Sequence, residues 1–392
     1  MDLVYGNMLH AVPTTVVTPQ SSKNIKTMNP TLISQWNPSP RVPKIVQSRQ
    51  PRGICNALPL VHEAKEGGEA NAPLTPQDKY KEIMSRFPRR DDWVLQPLYQ
   101  YQGFWYFQDY LIGLLAAQEN FKPQPSDIVI CTYPKTGTTW LKALAYTIVT
   151  RSRFSDSENP LLIKAPHDCV PFFEIDAARN TSNRDPQVPL VATHIPYTSL
   201  PTSISESGCK LVYLCRDPKD VLISMWHFLR GKLPEGIDKD TYINLNNSFE
   251  IFCEGIASNG PYWDHVSGYW KASVESPEKV LFLVYEDLKK DTVSIVRKLA
   301  EFMGYPFTPE EETRGVVQEI VELCSFDSLK NLKANTSGVY SPDSPYTIRN
   351  TEFFRKGTTG DWKNYFNEEM AARLDQIIEE KLNGSGFSFL SR

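Results

Sequence analysis

The sequence lacks any apolar run long enough to cross a bilayer. Its longest apolar stretches, such as Leu111 to Ala117, fall far short of the roughly 20 residues that a spanning helix needs. The 7 cysteines form no C-x-x-C pair and show no zinc-ligand spacing, which predicts a reduced intracellular protein without a structural metal. A formal net charge of -4 provides no excess of basic groups for nucleic acid or anionic membranes. We therefore expect no membrane anchor and no nucleic-acid partner, and any anion site must be a local cluster of basic groups.

Acidic residues are absent between Leu3 and His62, where Lys and Arg are spread among Ser, Thr and Pro without core periodicity. Such a composition is typical of a disordered tail or of an organelle transit peptide. Aromatic residues become frequent from Tyr99 onward. We predict a disordered or targeting extension over 1-75 and a folded domain over 76-392. The expected location is the cytoplasm, or the plastid if the extension is a transit peptide.

Four apolar runs alternate with segments that carry helical signals. The runs are Asp127 to Tyr133, Val188 to Thr193, Lys210 to Cys215 and Val280 to Tyr285. Strands that alternate with helices predict an α/β fold, a single domain with a central parallel sheet flanked by helices. In such a sheet ligands bind at the carboxyl ends of the strands.

A phosphate-binding loop is predicted between the first of these strands and the helix that follows it. The segment Pro134-Lys-Thr-Gly-Thr-Thr139 joins the two, so free backbone N–H groups and the positive end of the helix dipole point at one place. Gly137 permits close backbone approach, Lys135 adds a full charge, and the Thr138 and Thr139 hydroxyls can donate. The lysine precedes the glycine, unlike the ATPase loop, and no Mg²⁺ arrangement is evident.

Two further segments carry basic groups suited to a second phosphate. Arg216 follows the strand Lys210 to Cys215, with Asp217 as N-cap, Pro218 opening a helix and Ser224 two turns along it. Near the C-terminus, Arg355-Lys-Gly-Thr-Thr-Gly360 places two cations before two glycines. Two separated phosphate sites in one domain predict a nucleotide that is phosphorylated at both its 3′ and 5′ positions.

These three segments resemble the cytosolic sulfotransferase family, and Ala192-Thr-His-Ile-Pro-Tyr197 and Glu322-Leu-Cys-Ser-Phe326 resemble its plant members most. The resemblance covers roughly residues 90 to 392 and implies the sulfuryl donor 3′-phosphoadenosine 5′-phosphosulfate (PAPS), with no metal. It assigns the 5′-phosphosulfate to Lys135, Thr136, Gly137, Thr138 and Thr139, and the 3′-phosphate to Arg216, Ser224, Arg355, Lys356 and Gly357. Adenine would contact Trp140 and Phe326, with Tyr285 nearby.

His194 is the best candidate for a catalytic base, because it ends a predicted strand and precedes a proline turn at the ligand edge. A histidine can remove the proton of an acceptor hydroxyl at neutral pH, and the resemblance assigns the base to the same residue. His227 and His265 are expected to be structural. Lys135 is the expected partner of the charge that develops on the departing 5′-phosphate. Animal members of the family have Lys where Ala192 stands, so this chain lacks a cation there.

Aromatic residues suggest where the acceptor binds, although aromatic residues also fill cores. We predict an acceptor site that contains Phe104, Trp105, His167, Phe172 and Tyr197, covered by residues 335 to 354. A hydroxylated flavonoid, steroid or oxylipin would fit. The dimer segment of animal members, K-x-x-x-T-V-x-x-x-E, matches only Lys363 here, so we expect a monomer.

Two alternatives remain open at this stage. A P-loop kinase would have a similar strand, loop and helix, but would need Mg²⁺ and a different lysine spacing. A non-catalytic nucleotide-binding protein would keep the pocket and perform no transfer.

Overall fold

The strands follow the apolar runs of the sequence. In the computed structural model, which describes residues 76–390 except 94, 234, 235, 237 and 341–347, the strands are β1 (Arg89–Arg90), β2 (Leu98–Tyr101), β3 (Phe104–Phe107), β4 (Ile128–Thr132), β5 (Leu190–Thr193), β6 (Lys210–Cys215), β7 (Val280–Val284), β8 (Val339–Tyr340) and β9 (Ile348–Arg349). The four predicted runs are β4 to β7, which confirms them as strands. The predicted extension over 1-75 lies outside the described residues.

Strands β4 to β7 form one parallel sheet in the order β5-β4-β6-β7. Its register places Ile130 opposite Ala192 on one side and Val212 on the other. All carboxyl ends of the strands therefore meet at one edge, which confirms the predicted α/β fold and places the candidate ligand edge.

The helices lie between these strands and after them. They are α1 (Pro76–Met84), α2 (Gln108–Asn120), α3 (Thr138–Thr150), α4 (Pro166–Cys169), α5 (Phe173–Arg179), α6 (Thr202–Glu206), α7 (Pro218–Gly231), α8 (Lys239–Tyr242), α9 (Leu245–Cys253), α10 (Tyr262–Glu275), α11 (Tyr285–Lys290), α12 (Thr292–Met303), α13 (Pro309–Arg314), α14 (Val316–Leu323), α15 (Phe326–Asn331), α16 (Lys333–Thr336) and α17 (Glu368–Leu382). Asp217 caps α7 by accepting from the Lys219 N–H at 2.8 Å, as predicted. No helix among these is long and apolar enough to cross a membrane.

Both faces of the parallel sheet are covered. Side chains alternate along β4, so that Val129 and Cys131 belong to one buried cluster while Ile128 and Ile130 belong to another. The first cluster contains residues of α2, α7, α9, α10 and α17, and the second contains residues of α3, α12, α14 and α15. Each fully buried aliphatic side chain contributes about 1.5–3 kcal/mol to stability, so the two layers stabilise the sheet that carries the ligand edge.

A small antiparallel sheet, in the order β1-β2-β3, precedes the parallel one. In it Tyr101 pairs with Phe104, and Leu98 pairs with Phe107. Phe104 and Tyr106 are buried in the core, because alternate residues of a strand point to the same side. The aromatic cluster of this region therefore serves mainly to pack the sheet.

Candidate active site

A cavity of about 780 Å³ lies at the carboxyl edge of the parallel sheet. It collects residues from all three sequence segments that we predicted to bind anions. The predicted site residues that line it are Lys135, Gly137, Thr138, Thr139, Trp140, His167, Phe172, His194, Arg216, Ser224, Tyr285, Phe326, Arg355, Lys356 and Gly357.

The loop between β4 and α3 is held in one conformation by its neighbours. Gly137 has φ +111°, and a Cβ there would lie 2.8 Å from the Tyr285 ring, so only glycine fits. The Thr138 hydroxyl lies 2.8 Å from the Thr132 hydroxyl at the end of β4. The 13-residue helix α3 thus starts at the cavity, and its N-terminal N–H groups and dipole favour an anion there.

Lys135 is the cation of this loop. Its ammonium nitrogen lies 4.0 Å from the centroid of the Phe228 ring. Burial lowers the pKa of Lys135 to about 7, and the charges of Lys232, Arg216 and Arg355 act in the same direction. These positive charges repel one another in a cavity that excludes much of the water. A polyanion that binds there would remove this repulsion, so the site favours polyanions.

Thr136 is used by the loop itself. Its side chain is fully buried, and its hydroxyl donates to the Tyr133 carbonyl at 2.8 Å. It is not among the residues that line the cavity. Of the loop residues assigned to the 5′-phosphosulfate, Thr136 is thus the one that the structure does not bring to the cavity wall.

The second basic group joins helix α7 to the C-terminal segment. Arg216 donates from its Nη2 to the Thr358 carbonyl at 2.7 Å and to Asp220 at 3.2 Å. Asp220 also accepts from the Gly360 N–H at 2.7 Å and from the Trp362 N–H at 3.1 Å. This carboxylate therefore fastens the two basic segments to each other.

Arg355 and Lys356 share one buried carboxylate. Arg355 lies 2.6 Å and Lys356 lies 2.7 Å from the oxygens of Asp361. Burial favours the neutral acid, but the hydrogen bonds from Lys356 and Arg355 prevail and lower the pKa of Asp361 to about 2. The Nε atoms of Arg216 and Arg355 are buried without a hydrogen-bond partner. Both guanidinium groups line the cavity, and their positive charge favours an anion there.

An aromatic group lies beside these cations. Tyr285 meets the Trp140 ring edge-on, with centroids 5.5 Å apart. Gly357 has φ +64°, and a Cβ on it would lie 2.3 Å from Phe326. Gly357 therefore allows the backbone to pack directly on the Phe326 ring, and the three rings offer flat surfaces for a base.

His194 is held in one orientation with one nitrogen free. Its Nδ1 lies 2.7 Å from the Thr132 carbonyl oxygen. Because a carbonyl only accepts, Nδ1 carries the hydrogen and Nε2 keeps a lone pair. Burial lowers the pKa of His194 to about 3, although the bond to Thr132 acts in the opposite direction. The ring is thus neutral at pH 7, as a proton acceptor must be.

The backbone of His194 is fixed as firmly as its ring. Its carbonyl accepts from Asn259 and from His265 Nε2, both at 3.1 Å, and its N–H donates to Glu174 at 2.8 Å. His265 in turn lies 2.9 Å from the Tyr213 hydroxyl. His265 is therefore structural, as predicted, and supports the position of His194.

The predicted acceptor residues divide into two groups. Phe172 and His167 line the cavity, and the centroids of the Phe172 and His194 rings lie 4.5 Å apart. Phe104, Trp105 and Tyr197 are not among the lining residues. Phe104 packs in the core, the Trp105 backbone pairs with residues 259 and 260, and Tyr197 packs against Tyr269. The structure therefore does not bring these three side chains into the cavity.

Several residues that line the cavity were not named individually from the sequence. Tyr110 of α2 and Tyr340 and Phe353 of the C-terminal part line the acceptor side, and the last two belong to the segment predicted to cover it. Phe228 and Lys232 lie near Lys135, with the Lys232 nitrogen 4.6 Å from the Phe228 ring. No local motif marks these residues. His227, which we expected to be structural, also lines the cavity.

Among the described residues, no three His, Cys, Asp or Glu side chains are grouped so that they could hold a metal ion.

Comparison with known proteins gives concordant matches. Residues 125–386 match the family described as the sulfotransferase domain. Flavonol 3-sulfotransferase of Flaveria bidentis is 48% identical over 290 residues, which is 74% of this chain and 92% of that protein. A putative steroid sulphotransferase of Arabidopsis thaliana has a solved structure with a TM-score of 0.63 and 36% identity, covering 82% of this chain and 100% of that one. The solved structure of a mouse sulfotransferase complexed with PAP has a TM-score of 0.55 and 26% identity. The match covers 74% of this chain and 96% of that one.

Proposed function

The chain belongs to the cytosolic sulfotransferase family as a plant-type member, and we propose that it transfers the sulfuryl group of PAPS to a hydroxyl of a small organic acceptor. The observation that carries this proposal is the cavity that brings two separated groups of cations together with His194. Family membership makes a sulfotransferase the preferred interpretation over a kinase or a non-catalytic protein. The test is a donor assay with PAPS plus EDTA against ATP plus Mg²⁺, on a panel of hydroxylated metabolites.

The fit of the donor to the cavity rests on two separated basic groups. We assign the 5′-phosphosulfate to Lys135 and the N-terminus of α3, and the 3′-phosphate to Arg216, Ser224, Arg355 and Lys356. The rings of Trp140, Tyr285 and Phe326 lie in the same cavity and would hold adenine. The PAP complex of the mouse relative supports this nucleotide, because PAP is what PAPS becomes when it loses its sulfuryl group.

The proposed reaction is an in-line displacement at sulfur. The acceptor oxygen forms a bond to sulfur while the bond from sulfur to the 5′-phosphate oxygen breaks. His194 Nε2 takes the acceptor proton as the new bond forms. The low pKa of the free histidine does not prevent this, because the acceptor proton becomes acidic during attack and the anionic donor favours an imidazolium. Thr132 accepts from Nδ1 and so stabilises that imidazolium.

Lys135 and α3 act on the leaving group. Negative charge builds on the 5′-phosphate as sulfur departs, and preorganised donors aimed at developing charge are usually the largest catalytic contribution. The proposed base is connected to this helix, because the Thr132 hydroxyl lies 3.1 Å from His194 Nδ1 and 2.8 Å from the Thr138 hydroxyl. The proton acceptor and the leaving-group site would therefore keep a fixed spacing.

For the acceptor we propose a flavonol-type phenol first, and a steroid or oxylipin as alternatives. Support comes from the aromatic walls formed by Phe172, Tyr340 and Phe353 and from the flavonol relative. Flat hydroxylated rings pack well against such walls. We further propose that the protein acts as a monomer.

Donor binding is expected to weaken as the pH rises above 7. A polyanion binds the ammonium form of Lys135, whose pKa in the free protein is about 7, so binding at higher pH requires uptake of a proton. The affinity for PAP should fall by about 10- to 50-fold between pH 7 and pH 9. Titration calorimetry in buffers of different ionisation enthalpy measures both the affinity and the proton uptake.

Lys135→Arg provides the control, because its guanidinium keeps its charge at pH 9. In this variant the fall in affinity should be clearly smaller over the same range, and the part that remains is assigned to Lys232, whose pKa is lowered by burial to about 8. An equal fall in both proteins would assign the pH dependence to another group.

Deletion of residues 1 to 70 is expected to leave folding and turnover intact, because this segment has little patterned apolar surface for a core. Thermal melting and kcat of the truncated protein test this, and an insoluble or inactive product would contradict it. We propose a cytoplasmic location, with the plastid as the alternative. A fusion of residues 1 to 75 to a fluorescent reporter distinguishes the two.

A further inference from the structure

A buried lysine lies directly behind the candidate active site. Lys142, on α3, has no exposed surface, and its Nζ lies 3.3 Å from the centroid of the Phe172 ring. No carboxylate lies within ion-pair distance of it among the described residues. Burying an amine in this way is costly. A hydrophobic side chain of the same length would avoid that cost. We therefore expect the Lys142 amine to make a contact in which it has a specific role.

A short chain of hydrogen bonds leads from this amine to the cavity. Lys142 Nζ lies 3.2 Å from His167 Nδ1, and His167 Nε2 lies 3.0 Å from the Thr139 hydroxyl. His167 is largely buried and, like Thr139 of the first turn of α3, lines the cavity. The chain therefore connects a hidden donor with a hydroxyl at the proposed donor site.

The direction of these bonds follows from the lysine. An ammonium has three N–H donors and no lone pair, so it can only donate to His167 Nδ1, whereas a neutral amine could also accept from it. Burial lowers the pKa of Lys142, whereas the charges of Glu174 and Asp168 act in the opposite direction. The face of the Phe172 ring also favours positive charge at Nζ, and we take the ammonium as the donor. Donation from Nζ makes Nδ1 of His167 the acceptor and leaves the ring hydrogen on Nε2. That hydrogen then goes to the Thr139 oxygen, so the Thr139 hydroxyl hydrogen is free to point into the cavity.

We propose that Lys142 is a positioning residue that fixes the tautomer of His167 and thereby makes the Thr139 hydroxyl a hydrogen-bond donor to the sulfuryl donor. Two neutral histidines in one cavity are then held in opposite tautomers. His194 has its hydrogen on Nδ1 and a free lone pair on Nε2, whereas His167 has its hydrogen on Nε2. His167 therefore cannot replace His194 as the proton acceptor.

The Lys142 amine also lies close to Ala192, the position where animal members of the family have a lysine. Phe172 and Ala192 form a parallel bridge, so the Lys142 amine lies on the ring that packs beside Ala192. A basic group thus reaches this region from α3, in a chain that has no cation on the strand itself. Its effect on the cavity is indirect, through His167 and Thr139.

The tautomer can be read in the protein without any ligand. The full chain labelled with ¹⁵N-histidine is studied by long-range ¹H–¹⁵N correlation, with His167→Gln and His194→Gln used to assign the two rings. We expect His167 to be protonated at Nε2 and His194 at Nδ1. In Lys142→Met the His167 signals should change toward a mixture of tautomers, whereas Lys219→Met, which removes another buried lysine on a different helix, should leave them unchanged. A His167 ring protonated at Nδ1 in the parent protein overturns the proposal.

Kinetics tests the coupling between Lys142 and Thr139, and this part rests on the proposed donor. Thr139→Ala should lower kcat/KM for PAPS by about 10- to 100-fold, the effect of one hydrogen bond to an anion. Lys142→Met should lower it by about three- to tenfold. In the Thr139→Ala background Lys142→Met should have an effect below about twofold, whereas in the Thr139→Ser background, which keeps a hydroxyl, its effect should persist. Losses that multiply independently in the Thr139→Ala background overturn the proposal, and failure of PAPS as a donor would be seen in the parent protein first.

Discussion

His194→Ala is expected to lower kcat by about 10²- to 10⁴-fold, the usual contribution of a general base, equivalent to roughly 3 to 5 kcal/mol of barrier. The affinity for PAP should change by less than about twofold, because the cations that hold the phosphates lie on other segments. The cause is local: Nδ1 is bonded to the Thr132 carbonyl at 2.7 Å, so Nε2 is the only nitrogen of this ring that can take the acceptor proton. Steady-state kinetics and titration calorimetry with PAP measure the two quantities.

His194→Asn is the matched variant. Its amide can still donate toward the Thr132 carbonyl, but it is no base near neutral pH, so it should be as inactive as the alanine variant. An acceptor of low pKa, already partly ionised, should lose least because its proton has gone before attack. Turnover within about threefold of the parent on an aliphatic alcohol would remove His194 from the mechanism.

Arg355→Ala, and separately Lys356→Ala, should weaken PAP binding by about 10- to 100-fold. Each substitution removes a charge-assisted contact worth roughly 1.5 to 3 kcal/mol. It also leaves Asp361 with one cation instead of two. The Asp361 carboxylate would then repel the 3′-phosphate more strongly. The affinity is measured by calorimetry at fixed ionic strength, since surface charges are screened by salt.

The discriminating ligand is adenosine 5′-phosphosulfate, which has no 3′-phosphate. Its affinity should scarcely change in either variant. Arg373→Ala serves as a control, because Arg373 forms an exposed ion pair with Glu250 on the surface, and it should affect neither nucleotide. Equal losses for both nucleotides in Arg355→Ala would show that this residue does not read the 3′ group.

The positions of the residues of the proposed donor site could be predicted from the sequence, because the determinants of these positions are local. Lys135, Gly137 and the start of α3 lie within a few residues of one another, and the strand before them fixes their direction. The same holds for Arg216, Asp217 and Pro218. Each of these motifs lies between the end of a strand and the start of a helix. Its position in the sequence therefore predicts that its residues lie at the carboxyl edge of the sheet.

The acceptor side could not be predicted in this way, since it is assembled by contacts between distant elements. Phe104 and Phe172 are both buried aromatic residues, yet only Phe172 lines the cavity. Nothing near Phe104 in the sequence reveals that β3 pairs with β2 and turns this ring into the core. Lys142 is the extreme case, because a lysine in a helix is normally exposed, whereas this one packs against His167 of α4 and the Phe172 ring.

The bond between Asp220 and the Gly360 and Trp362 N–H groups has a consequence for how the protein is made. Arg216 emerges from the ribosome long before Arg355, so the proposed 3′-phosphate site is completed only when nearly the whole chain has been translated. A nucleotide bound across this joint binds the native state and not the unfolded chain, and thus stabilises the native state by mass action. The concentration of the sulfuryl donor in the cell would then influence the unfolded fraction of the enzyme and so its lifetime against proteolysis.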